Sequence, residues 1–285
     1  MKYLMLMLAL GALVNTAYGQ EPPFGGTNWI TPNIITSADW SRSFEVDYKG
    51  MGERMFWHRE QREFRTVEAY LFDVRYGTAS LEFMGRSDHF FSRDEFRPHV
   101  DKWAKIMGRL PFVLLSNARE VDFFIDPDDH PSLTANPSLR RYHINVAACE
   151  EDRPLFCVDR HEERGSVEET LLHEGAHASL DQDHKYTPAW EAAQENDDAF
   201  ISTYGRDFPV REDLAESFLA WFALRYRPER LTSDQRSKIR ETIPNRLAYF
   251  DRQGFDMSPF EQPSLSRAFF NEFLSVKSQL SDLIE

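Results

Sequence analysis

The chain has 285 residues, 41% of them hydrophobic, with 23 phenylalanines and 6 tryptophans, so it holds ample material for a buried core and is not an intrinsically disordered protein. Its formal charge of -14 repels nucleic acid and anionic lipid, which excludes polyanion binding as its main role. Two cysteines are too few for a zinc site built of thiolates, and any metal must therefore find its ligands among histidine, aspartate and glutamate.

In chain order, Lys2, the apolar run LMLMLALGALV and the small residues Ala17 and Gly19 predict a signal peptide over residues 1–19. The apolar run falls well short of the ~20 residues that span a bilayer, so no stable membrane insertion is expected once the peptide is removed. Residues 20–285 are then expected to form one domain, secreted or periplasmic. In an oxidising compartment the two cysteines, Cys149 and Cys157, are expected to close a short disulfide loop.

The Pro and Gly residues of QEPPFGGTNWITP mark an irregular lead-in. Alternation of Tyr70, Phe72, Val74 and Tyr76 before Gly77, and of Leu81 and Phe83 after it, predicts a hairpin. In SRDEFRPHVDKWAKIMG the period changes: Phe96, Val100, Trp103, Ala104 and Met107 share one helical face, Ser92 and Glu95 have capping-box spacing, and Gly108 suits the end. PFVLL, VDFFID and YHINVA read as short strands. Helices follow: one from about Val167, one opened by Thr187 and Pro188 and running through PAWEAAQENDDAFISTY, one over residues 212–226, one opened by Thr232 that stops before Pro244, and a last one in LSRAFFNEFLSVKSQL. Strands early and helices late predict an α+β architecture.

The stretch SVEETLLHEGAHASLDQDH carries the chemistry. Ser166 and Glu169 have capping-box spacing, so a helix from Val167 places His173 and His177 one turn apart, with Cβ atoms ~5–6 Å from each other. Both imidazoles then reach one ion at ~2.0–2.1 Å, and Glu174 faces a water on that ion. Two neutral imidazoles leave Zn²⁺ strongly Lewis acidic, so the water's pKa drops toward ~7 and the carboxylate takes its proton as it attacks a carbonyl. A catalytic site needs a third protein ligand and one open position. In VREDLAESF, Glu212 is the expected ligand, and Glu216, one turn on, is expected to accept from the far nitrogen of a ligating histidine. The alternative is a solvated acidic face near Arg211 and Arg225.

HEGAH, followed about 35 residues later by EDLAE, resembles the zincin metallopeptidases of gluzincin type, the group that includes thermolysin and anthrax lethal factor. The resemblance spans residues 166–226, and the mature chain as a whole resembles a group of secreted zincin-like proteins. It implies a zincin-like fold, one Zn²⁺ per chain held by His173, His177 and Glu212, Glu174 as general base, Glu216 behind a ligand histidine, and a peptide or protein substrate. It further implies that Tyr204, eight residues before Glu212, donates to the oxyanion; a core tyrosine capping the preceding helix is the alternative.

The metzincin pattern offers a different third ligand, Asp183, but Leu180 stands where that pattern needs a glycine for the bend. Gly175 inside the metal helix costs ~1 kcal/mol of propensity and suggests a close backbone approach. Two functions of different class follow: a secreted zinc peptidase that pairs a peptide along an edge strand such as YHINVA or LFCVD, and a non-catalytic secreted zinc-binding protein that presents its acidic surface to a partner.

Overall fold

The computed structural model describes residues 21–27, 33–58, 61–126, 133–147, 161–162 and 164–260. The expected signal peptide, both cysteines, the LFCVD strand and the last helix lie outside the described residues. The described part is α+β, with a mixed six-stranded sheet in the N-terminal half and helices in the C-terminal half. No helix among the described residues is long and apolar enough to cross a membrane.

The sheet runs in the order β1-β2-β3-β4-β6-β5. β1 (Glu45–His58), β2 (Glu63–Tyr76) and β3 (Ala79–Arg86) form an antiparallel meander, β4 (Glu120–Phe124) and β6 (Arg141–Asn145) continue it in parallel, and β5 (Leu133–Asn136) closes it antiparallel to β6. The expected hairpin is β2 and β3, turning at Gly77 with φ 64°. Helix α1 (Arg93–Met107) spans the crossover from β3 to β4; its expected apolar face is buried, and Ser92 accepts from the Glu95 N–H at 3.1 Å.

Strand alternation sorts β6 into two faces. Tyr142 and Ile144 enter the main core with the helices, while Arg141 and His143 stand on the other face. On that second face Arg141 donates to the Met55 carbonyl at 2.6 Å, and Phe56, Ala69, Leu71 and Met84 form a small separate apolar cluster.

Two of the strand expectations are corrected. PFVLL is not a strand: α2 (Phe112–Ser116) buries Val113, Leu114 and Leu115, and a run this short and uniformly apolar has no period to separate strand from helix. Its opening N–H groups, on Phe112 and Val113, donate to the carbonyls of Ser258 and Asp256 at 3.0 and 2.9 Å. YHINVA is a strand, but an interior one, because the polar LTAN segment pairs outside it as β5.

The C-terminal half holds α3 (Val167–Ser179), α4 (Asp181–His184), α5 (Pro188–Glu195), α6 (Thr203–Asp207), α7 (Asp213–Tyr226), α8 (Ser233–Thr242) and α9 (Pro244–Asp251). Thr187 caps α5 and Thr232 caps α8, the two openings expected from sequence, and at Thr232 a full capping box forms with Gln235. α5 stops earlier than expected. Asp197 turns its carboxylate onto the first N–H groups of α9, at 2.8 Å to Asn245 and 3.0 Å to Arg246, instead of continuing its own helix. α3 and α7 pack on each other and are buried almost all round, so they form the centre of the helical layer. Burying a side chain such as Phe218 or Leu171 there contributes about 1.5–3 kcal/mol.

Candidate metal centre

The geometry of the cluster begins with α3. Every residue of this helix is buried except Glu174, which is half-buried, so both histidines are held inside the protein with a partly accessible glutamate between them. The helix starts at Val167 as expected, but Ser166 does not cap it: its hydroxyl contacts the buried His161 ring at 3.2 Å, and no capping box forms with Glu169. Burial and the nearby Arg164 hold His161 down at about 4.

The packing of α3 on the sheet explains Gly175. A Cβ there would stand 2.6 Å from the Tyr142 hydroxyl and 3.0 Å from Leu114 Cδ1, so only glycine lets the helix approach β6 this closely.

His173 and His177 stand with ring centroids 4.8 Å apart and planes at 83°. Glu212 is the residue before α7, and its Oε2 lies 3.1 Å from His177 Nε2 and 3.3 Å from His173 Nε2. The three donor atoms all fall within 4.8 Å of one another. Among the described residues this is the one group of His, Cys, Asp and Glu able to hold a metal ion. Two donors ~2.0–2.1 Å from a tetrahedral ion stand ~3.3 Å apart, close to the spacings seen.

The far ring nitrogens are held as well. His177 Nδ1 is 3.0 Å from Asp181 Oδ2, and His173 Nδ1 is 3.1 Å from Glu216 Oε1, off the line of a full hydrogen bond. With both Nδ1 atoms facing carboxylates, both Nε2 atoms are left to face Glu212. Glu216 thus stands where the spacing put it. Asp181 was missed, although its position one turn after His177 was a readable signal.

The electrostatics organise the cluster around positive charge. Burial alone would lower both imidazoles, but Glu212 and Glu216 hold His173 well above its ordinary range, and Asp181 with Glu212 carries His177 up to about 9. Burial opposes ionisation of Glu212 too, yet the two histidines keep its carboxyl far below the usual carboxylate range. A divalent cation supplies the same sign of charge at the same donors, so the donor set of two imidazole nitrogens and one carboxylate fits such an ion. Burial pushes the Glu174 carboxyl upward, with His173 and His177 pulling it back, which moves it toward the range useful for a general base.

Tyr204 lies beside this centre. Its ring stacks on that of His173 at 6.4 Å, and its hydroxyl accepts from Arg211 at 3.2 Å. Burial and the Glu212 charge push the phenol up to about 12, so it stays a proton donor at neutral pH. Arg211 also donates to Glu212 Oε1 and lies over the Phe208 ring at 4.4 Å, bridging the tyrosine and the carboxylate.

No family model, curated protein or solved structure matches this chain. The candidate residues therefore stand on their geometry.

Asp183 is placed elsewhere. Leu180 keeps right-handed angles, φ -115° and ψ -31°, not the left-handed turn a glycine allows, and Asp183 pairs with Arg140 through both carboxylate oxygens at 2.7 and 2.8 Å. A cavity of about 840 Å³ lined by Phe56, Trp57, Arg86 and His143 lies on the second face of the sheet and includes none of the three donors.

Proposed function

We propose that the chain is a secreted zinc-dependent peptidase in which His173, His177 and Glu212 hold the ion and Glu174 is the general base. The observation that carries this reading is the pattern of α3: the helix buries every residue but one, and that one is the half-buried Glu174 next to the first histidine. A site that held metal for stability alone needs ligands and no base at its mouth. Bound there, zinc supplies Lewis acidity toward water and toward a carbonyl oxygen.

The chain's own groups do the rest. Glu174 takes the proton of the attacking water and returns it to the leaving amine. Tyr204, kept protonated, donates to the oxygen on which negative charge builds. Asp181 and Glu216 fix the two rings so that neither turns during the reaction. A peptide is read as pairing by its backbone along β5, which among the described residues is the edge strand of the sheet that packs against α3. YHINVA, as an interior strand, leaves that role to β5. The exported location rests on residues 1–19 alone.

The test is a Glu174→Gln variant of the zinc-loaded chain assayed on a peptide library. Zinc should remain bound while hydrolysis falls by roughly 100- to 10,000-fold. Unchanged cleavage removes Glu174 from the mechanism, and a wild type that binds zinc yet cleaves no peptide favours the non-catalytic reading.

A further inference from the structure

We propose that the N-terminal segment, residues 21–27, is a working part of the metal centre, with Thr27 positioning Glu216 and, through it, His173. This rests on the reading of His173, His177 and Glu212 as metal ligands. The Thr27 hydroxyl donates to Glu216 Oε1 at 2.8 Å, across 189 residues of sequence. That same oxygen faces His173 Nδ1 at 3.1 Å, and Glu216 is fully buried. A single carboxylate oxygen thus joins the N-terminal segment to a ligand ring.

The segment reaches this point by a specific docking. It runs beside α6, with a parallel bridge between Phe24 and Ser202. The Phe24 carbonyl accepts from the Thr203 N–H at 2.9 Å, and the Gly25 carbonyl accepts from the Tyr204 N–H at 3.0 Å and the Thr203 hydroxyl at 2.6 Å. These N–H groups belong to the first turn of α6, which no helix can satisfy from within itself. Glu21 pairs with Arg206 at 2.9 Å, and a Cβ on Gly26 would come within 2.9 Å of Tyr204 Cβ. The segment therefore lies against Tyr204 before it delivers Thr27 to Glu216.

The backbone tethers at Phe24 and Gly25 do not involve the Thr27 side chain, so its hydroxyl can be removed while the docking stays. What is then lost is one donor that fixes the direction of a buried carboxylate. A carboxylate held beside Nδ1 raises the basicity of the opposite nitrogen and keeps the ring turned toward the metal, and disturbing such partners typically weakens binding by 10–100-fold. Thr27 is one bond further out, so the lower end applies.

The experiment compares wild type, Thr27→Val and Thr27→Ser in the full mature chain. Zinc affinity is measured by competition with a chromogenic chelator, and hydrogen exchange is followed at the Thr203 and Tyr204 amides. We expect the valine variant to bind zinc about tenfold more weakly, the serine variant to match wild type within about twofold, and both amides to stay equally protected in all three. Equal affinity of wild type and the valine variant overturns the inference alone. A serine variant as weak as valine assigns the effect to shape and not to the hydroxyl, and lost amide protection in the valine variant assigns it to undocking; either refutes the role given to Thr27. A wild type that binds no zinc sinks the metal reading together with this inference.

Discussion

Replacing Gly175 with alanine puts the packing argument under direct strain. The new Cβ would stand 2.6 Å from the Tyr142 hydroxyl and 3.0 Å from Leu114 Cδ1, and Tyr142 is fully buried, so it has nowhere open to turn. Its hydroxyl also donates to the Leu114 carbonyl at 3.0 Å, and a retreat of roughly 0.7 Å to ordinary contact distance disrupts that bond, at a cost of about 1 kcal/mol. Overpacking adds about 1–3 kcal/mol, while alanine returns about 1 kcal/mol of helix propensity. The net loss is about 1–3 kcal/mol, or roughly 2–4 °C of Tm for each kcal/mol. Urea and thermal unfolding of Gly175→Ala, Tyr142→Phe and the double variant form the assay. The phenylalanine removes the atom in conflict, and the Leu114 carbonyl keeps its second donor, Ser179, at 2.8 Å. The double variant should therefore recover about 1–2 kcal/mol relative to the sum of the singles. An alanine variant as stable as wild type, or strict additivity, refutes the claim that glycine sets the approach of α3 to β6.

Asp181→Ala removes the partner of His177 and should weaken zinc binding by roughly 10–100-fold in a chelator competition, whereas Asp183→Ala, whose partner is Arg140, should leave it unchanged. Arg246→Met strands the buried carboxylates of Asp197 and Asp213, which Arg246 now meets at 3.0 and 2.9 Å, and should cost about 3–5 kcal/mol in denaturant unfolding. Asp39 gives a pH dependence. Burial pushes its carboxyl up, but bonds from Arg230, the Thr36 N–H and Arg227 outweigh this and hold it at about 2 against an ordinary 3.8. Its stabilisation is complete above pH 4 and fades as the pH falls toward 2, by on the order of 1–2 kcal/mol. Asp39→Asn should flatten the stability curve in that window, and an unchanged acid limb would remove the Asp39 pairing as its cause.

The parts of the molecule readable from sequence are those fixed by local spacing. His173 and His177 stand one turn apart on one helix, and Glu212 with Glu216 one turn apart where another opens, so helical periodicity alone brings each pair to one face, with Glu174 beside the first histidine. What sequence could not supply is the docking of one set on the other, since the pairing of Glu212 with the histidines is a tertiary contact. β1 was not read because its residues alternate between half-buried and exposed without a clean apolar face, and β5 because four mostly polar residues give no signal until β6 pairs with them. Thr27 lay beyond reach for the same reason, as nothing near it in the chain announces a partner 189 residues away. The capping box at Ser166 failed differently: the spacing was right, but a buried histidine competes for the hydroxyl.

The central claim is that two imidazoles and one distant carboxylate hold a single divalent ion, and the metal content of purified protein tests it most directly. After zinc reconstitution and exhaustive dialysis, wild type, Glu174→Gln and Asp183→Ala should each retain one zinc per chain, while His177→Ala and Glu212→Ala should retain almost none. A wild type without metal, or a Glu212→Ala variant that holds zinc as tightly as wild type, contradicts the account.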